Sequence, residues 1–406
     1  MSAPTPSREV TWAGAQTVGA NLRNSQLFLL FLSNTMNSRE GLPTRRSSAE
    51  LPIVPELDGV RGVAILMVLA FHFGHVLPAP GNHFFTLGWA GVDLFFALSG
   101  YLITRILWTT RENSAYFVNF YGRRILRIVP LAFAFLAAYF WLALPISHHF
   151  GYDLDRNGSD QWWYWAYLAN WHIGRHGSLS HLWSLSIEEQ FYLIWPTVIY
   201  AVSRAKLRRL CVVLVILPFI LRVLLIDGFH LSNGVAGMTF CRTEALALGA
   251  LIALSDQVAI LSKLALPSAI VVVLIAIRFG TDGKIMAIYG LSLIALACAG
   301  FISDVVGQAG KATALSRVLR APWLRQFGKY SYAIYVLHAP ILAVAFHLYA
   351  KSPTPVRGCS LFVIGIAASY TAGWISWHVF ESRILRLKRY FSYDQPRVET
   401  AHALVA

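Results

Sequence analysis

The 406-residue sequence predicts an all-α polytopic membrane protein with about ten transmembrane helices. First, 56% of residues are hydrophobic and only 13% charged, against roughly 45–50% and about 25% in an ordinary soluble domain. Second, apolar runs recur along most of the chain at lengths near the ~20 residues that cross ~30 Å of hydrocarbon. Third, the basic residues are distributed asymmetrically between the loops that those runs define.

The predicted spans are 62–77, 88–108, 128–146, 189–203, 207–226, 239–255, 262–279, 285–302, 330–350 and 359–381. Between the third and fourth lies a longer polar and aromatic segment, 147–188, whose stretch QWWYWAYLANW carries the Trp and Tyr enrichment of a membrane interface. Residues 1–50 are rich in Ser, Thr, Asn and Pro, and their apolar patch QLFLLFLS is too short to span. They read as a disordered or interfacial segment, residues 51–385 as the transmembrane domain, and 386–406 as a tail.

The net charge of +14 raises the question of nucleic acid, but its distribution answers it. With ten spans and both termini on one side, that side holds 26 of the 34 lysines and arginines. This is the positive-inside bias, so both termini are expected in the cytoplasm of a multi-pass inner (plasma) membrane protein that binds no nucleic acid. Cys211, Cys241, Cys298 and Cys359 are scattered without a C-x-x-C pair and read as buried free thiols. No metal-ligand spacing is present.

A charge inside a span costs at least about 2.5–3.5 kcal/mol on insertion scales, so intramembrane ionisable groups mark function or a buried partner. Arg61 and His72 are eleven residues apart, which on a helix leaves them ~20° from alignment and separated by ~16 Å of rise. His72, in the outer half of span one, and Asp93, entering span two in GWAGVDLFFALSG, fall at a similar depth. A carboxylate that holds an imidazole suits general-base chemistry, and equally suits a structural bond between two helices. Arg123, Arg124 and Arg127 begin span three near Arg61; they are either topological decoration or a phosphate-collecting group.

In HLWSLSIEEQFYLIWP, Ser184 and Glu188 share a helix face at the outer entrance of span four. A helix start with Ser186 and Glu189 as its capping box explains part of the same motif. Arg242 and Glu244 are expected as an ion pair at the outer start of span six. His338, inside span nine, reads at least as readily as a helix contact as a reactive group.

ELDGVRGVAILMVLAFHF, GWAGVDLFFALSGYLI, FYGRRILRIVP, HLWSLSIEEQFYLIWP, CRTEALALGALIAL and FGKYSYAIYVLHAPI stand in the order found in the acyltransferase-3 family. From about Glu56 to Glu381 the chain resembles that family. The resemblance implies a ten-helix domain that moves an acyl group, acetyl by family habit, from cytoplasmic acyl-CoA to a hydroxyl of a carbohydrate or glycolipid acceptor. It implies acyl-CoA as a substrate, with no permanently bound cofactor. By the same resemblance His72, Asp93 and Glu188 are the candidate catalytic residues, and Arg61, Arg123, Arg124 and Arg127 the candidate donor-binding residues. Ser184, Glu189 and Arg242 are the candidate acceptor-binding residues. Many relatives carry Pro two residues after the glutamate closing the last span, whereas here Glu381 is followed by Ser382 and Arg383. With only ~25 residues after span ten, the membrane step alone is expected. A transporter using an intramembrane His/Asp/Arg relay is the rival class. The absence of an inverted repeat in the sequence weighs against it.

Overall fold

The computed structural model describes residues 54–149, 160–172, 178–231, 234–255 and 259–392. The expected N-terminal segment, 1–50, lies outside the described residues. Every regular element among the described residues is helical.

Ten helices carry the architecture: α1 (Glu56–Gly74), α2 (Gly91–Thr110), α3 (Tyr116–Ala138), α4 (Trp183–Ala201), α5 (Arg204–Arg222), α6 (Glu244–Leu254), α7 (Ala259–Phe279), α8 (Leu291–Gly307), α9 (Pro322–Lys351) and α10 (Pro355–Ser376). Eight of them, with their continuations, are long and apolar enough to cross a membrane. The other two qualify the sequence reading. α4 has the length, but Glu188 and Glu189 interrupt its apolar run, and α6 has only 11 residues where a 17-residue span was expected. α6 is nonetheless buried almost end to end, so its polar backbone is shielded by protein rather than matched to lipid.

Local chemistry sets several helix ends. Glu56 and Asp58 occupy the first turn of α1, where acidic groups complement the helix dipole. Pro322 and Pro355 open α9 and α10, where a missing N–H costs nothing, and the Thr354 side chain accepts from the Arg357 backbone N–H. The capping box expected at Ser186 does not form. α4 already starts at Trp183, and Ser186 donates back to the Leu182 carbonyl instead. Four helices run through a π turn, including Trp377–Glu381 at the end of α10.

The helices differ in how much of themselves they bury. Two thirds (67%) of the most apolar stretch leading into α2 is buried, against 17% for α7. α2 therefore sits at the centre and α7 at the lipid-facing periphery, since a helix that is apolar all round needs no single buried stripe in hydrocarbon. Of the four cysteines, Cys211 and Cys241 are buried as expected, whereas Cys359 is exposed on α10.

Two contacts between helices depend on glycine. At Gly100 a Cβ would lie 2.0 Å from the Leu246 carbonyl oxygen, which is how closely α2 and α6 approach. Parallel helices α1 and α9 meet at Gly62 and Gly328, where a Cβ on Gly328 would lie 3.1 Å from the Gly62 nitrogen. Small residues at such crossings are the usual means of close packing in a bilayer, where hydrophobicity gives helices no preference for each other over lipid.

Overpacking such a crossing costs about 1–3 kcal/mol. Gly100→Ala is therefore expected to lower the thermal unfolding temperature in detergent by several degrees. Gly307→Ala, which meets nothing within 4 Å, should leave it unchanged.

Candidate active site

A cavity of about 710 Å³ opens among α1, α2, α3, α4, α9 and the end of α10. Its walls carry seven basic residues (Arg61, Arg123, Arg124, Arg127, Arg325, Lys329 and Lys388) and only two acidic ones, Asp58 and Glu188. Along α9 it runs from Pro322 to Tyr335, which at 1.5 Å per residue is ~20 Å. One end is therefore strongly basic. The other is lined by Ser184, Ser331, Tyr335, Val92 and Phe96.

All four arginines predicted to bind the donor line this cavity, but their own partners differ. Arg61 pairs with Asp58 at 2.6 Å, one helical turn away. Arg127 pairs with Glu381 at 3.2 Å and lies over the rings of Tyr332 and Trp377. Arg123 donates to the Phe391 carbonyl at 3.0 Å. Arg124 lies over the rings of Phe120 and Tyr192 and has no ion pair among the described residues. Stacking on aromatic faces leaves the edge of a guanidinium, with its donor fork, open to an anion.

Ser184 and Glu188 enter the same cavity, so they do not form a separate outer entrance as the motif suggested. Because α4 begins at Trp183, Glu188 lies more than a turn inside it. Ser99 donates to Glu188 Oε1 at 2.7 Å, and the Tyr192 hydroxyl donates to Ser99 at 3.0 Å. Ser184 Oγ is hydrogen-bonded to the Tyr335 hydroxyl, which also donates to the His181 carbonyl at 2.7 Å. Glu189 is absent from the cavity wall, and its Oε1 is buried without a hydrogen-bond partner.

The expected His72–Asp93 contact does not form. Asp93 Oδ2 accepts from Arg242 at 2.9 Å, and both residues are almost fully buried. The Arg242 guanidinium is surrounded by the rings of Trp89, Phe96 and Trp183 at 5.2–6.0 Å. Arg242 therefore does not pair with Glu244 either. Glu244 takes a bidentate contact from Arg222, at 2.7 and 2.8 Å, with Ser292 completing the site. The sequence reading paired neighbours along the chain, whereas in the bundle each of these charges finds its opposite on a different helix.

His72 instead joins two other histidines. Its ring centroid lies 4.8 Å from that of His338, and His338 lies 5.0 Å from His181. Each ring is held through one nitrogen near a backbone carbonyl: His72 Nδ1 to Val68 at 2.9 Å, His338 Nδ1 to Tyr335 at 2.7 Å, and His181 Nε2 to Val336 at 3.3 Å. A carbonyl only accepts, so each of those nitrogens carries the proton and the opposite nitrogen presents its lone pair. His338 Nε2 and His181 Nδ1 are buried without a hydrogen-bond partner among the described residues. Val68 thus orients His72 in the way the carboxylate was expected to. The cluster adjoins the inner end of the cavity, because the Tyr335 ring lies 5.7 Å from both His181 and His338. Tyr335 was not singled out in the sequence, and His338 was left open between a helix contact and a reactive group. Their spacing of three in YSYAIYVLH, which puts both on one helix face, was the signal available.

The family model described as an acyltransferase domain, Acyl_transf_3, matches residues 54–375. Among curated proteins, the chain is 28% identical over 365 residues to "Putative peptidoglycan O-acetyltransferase YrhL" of Bacillus subtilis (strain 168). That alignment covers 82% of this chain and 55% of the relative. It is 26% identical over 360 residues to the O-acetyltransferase OatA of Staphylococcus aureus (strain NCTC 8325 / PS 47), covering 82% and 57%. The chain thus spans a little over half the length of these curated relatives. No solved structure matches.

Removing one member of a buried ion pair typically costs about 3–5 kcal/mol, because the other charge is stranded. Arg242→Ala is expected to destabilise the protein by that order in thermal unfolding, and the double change Asp93→Asn with Arg242→Gln to recover part of the loss. An unaltered melting curve for Arg242→Ala would mean that Asp93 is satisfied without it.

Proposed function

The chain belongs to the acyltransferase-3 family, and on that premise we propose that it is a membrane O-acyltransferase. It takes an acyl group, acetyl in the first instance, from acyl-CoA on the cytoplasmic side and passes it to a hydroxyl of a carbohydrate or glycoconjugate. The observation that carries this reading is the elongated basic cavity at whose inner end the wall residue Tyr335 lies against His181 and His338, with His72 stacked on His338 just behind the wall. Its basic end faces the cytoplasm by the positive-inside rule. The arginines there suit the phosphates of a coenzyme A donor, which an Arg fork binds with two parallel hydrogen bonds. The cavity's whole run along α9, ~20 Å including the basic end, accommodates a donor whose thioester arm extends toward Tyr335.

At the inner end, His72 Nε2 is the base. It removes the acceptor hydroxyl proton as that oxygen attacks the thioester carbonyl; the carbon–sulfur bond then breaks and the thiolate leaves, recovering a proton as free CoA. Ser184 and Tyr335 are hydroxyls on the wall of this end; turned from the His181 carbonyl they now serve, they would face the carbonyl oxygen as it gains charge, where fixed donors lower a barrier most. Glu188, fixed by Ser99, lines the path of the donor. The name of the Bacillus subtilis relative makes a peptidoglycan hydroxyl the first acceptor to try. A relay for transport would need a continuous line of exchangeable groups, and here both Asp93 and Glu244 are locked in ion pairs.

The test is CoA release by purified protein from labelled acetyl-CoA, with peptidoglycan fragments and other glycans as acceptors. Acceptor-dependent release is expected, falling by at least about 10²-fold in His72→Ala with membrane insertion intact. Arg124→Ala should raise the donor KM and leave the acceptor KM in place. Undiminished turnover in His72→Ala removes His72 as the base, and failure to consume or bind acetyl-CoA moves the transporter reading to the front.

A further inference from the structure

After α10 the chain does not run away from the bundle. Residues 382–392 fold across the basic end and lie against α3, although a free tail was expected from residue 386 onward. Three contacts fix this segment. The Asn119 side-chain amide donates to the Ser392 carbonyl at 2.5 Å, and Arg123 donates to the Phe391 carbonyl at 3.0 Å. The Phe391 ring occupies the space over Gly122, where a Cβ would come within 2.3 Å of it. Only glycine at 122 admits the ring in that position.

The contacts have a specific outcome for one side chain. The segment carries Arg383, Arg386, Lys388 and Arg389, of which Lys388 alone lines the cavity; the three arginines are exposed. Lys388 is half-buried and has no ion pair among the described residues. The carboxylate that acts on it, Glu381, already pairs with Arg127, while Arg123, Arg124 and Arg127 crowd it with like charge. An ammonium drawn partly out of water in such a field gains from an anion that joins it. Arg123, assigned to the donor by its motif, commits its guanidinium to the backbone of this segment instead.

We infer that residues 382–392 form a wall of the donor site, in which Lys388 binds a phosphate of the donor and Arg123 is a positioning residue that holds Lys388 there. The inference rests on the donor reading given above and extends it: the site selects acyl thioesters of a phosphate-bearing nucleotide carrier over acyl thioesters lacking phosphate. Because the backbone on either side of Lys388 is already fixed, little ordering remains to oppose binding.

The test compares acetyl-CoA with S-acetylpantetheine, which presents the same thioester arm without phosphates, as donors for the full-length protein. One charge-assisted contact to phosphate lost in Lys388→Gln should raise the KM for acetyl-CoA about tenfold or more. The KM for S-acetylpantetheine should not change. Phe391→Ala and Gly122→Leu, which detach the segment without touching the lysine, should give the same selective loss. Arg389→Gln, removing an exposed charge from the same turn, should affect neither donor. Equal effects on both donors, or none on either, in a correctly inserted Lys388→Gln protein would overturn the inference. A wild-type protein that neither turns over nor binds acetyl-CoA would overturn the donor reading, and this inference with it. Acetyl-CoA turnover that is indifferent to Lys388 would overturn this inference alone.

Discussion

A charge carried into an apolar bundle must find an opposite charge, a ring of dipoles or a water-filled space, and this requirement organises the whole domain. Arg222 is wholly buried, and Glu244, Ser292 and the carbonyls of Cys241 and Ile288 take up its Nη1 and Nη2 donors. That one guanidinium ties α5, α6 and α8 together. Arg242 and Asp93 do the same for α2 and the start of α6. Glu56, at the start of α1, is closed by Ser316 and Arg320 from the connection between α8 and α9. Such pairs contribute little net free energy over a well-packed apolar core, and their service is to fix which helices are neighbours.

Once those pairs are made, the charges left over are informative. Around the cavity they leave a surplus of positive charge, seven basic side chains against two acidic ones. An excess of basic groups around ~20 Å of internal space is a standing electrostatic demand for an anionic guest, stronger where water is scarce than on an open surface. The histidine cluster lies at the opposite end, away from that field, where an imidazole can keep a lone pair available. The fold thus sets a basic end apart from a histidine-bearing end, which on the proposed reading recognise and react respectively, and it does so with helices that are otherwise apolar.

Much of this was legible in the sequence, and what was not has a physical pattern. The helical membrane class followed from composition, and the basic asymmetry followed from counting. The alignment of Arg61 with His72 followed from helical geometry, because both lie on one element. The errors concern partners on different elements. Equal depth in the bilayer placed Asp93 beside His72, but depth leaves rotation about the helix axis undetermined, and Asp93 turns toward Arg242. Glu244 likewise ignores Arg242, two residues away, for Arg222, twenty-two residues away. Ser184 and Glu188 were placed at an entrance because the apolar run begins at Glu189; a helix can begin in polar sequence when protein covers it. Tyr335 and His338 were readable as one face of α9, but nothing in one dimension says which face meets α1.

The contact of Gly62 with Gly328 bears on the reactive end in a way that their distance from it conceals. Each glycine precedes its helix's histidine by ten residues, Gly62 before His72 and Gly328 before His338, so each pair is separated by ~15 Å of rise and the same angle of rotation. Two parallel rods pinned at equal heights bring the imidazoles together as the tips of matched levers. A methyl group inserted at the pin would tilt one rod, and the tilt would be magnified along its length. The alignment of the two rings is in this sense set at the opposite end of the bundle, in a place that holds no histidine at all.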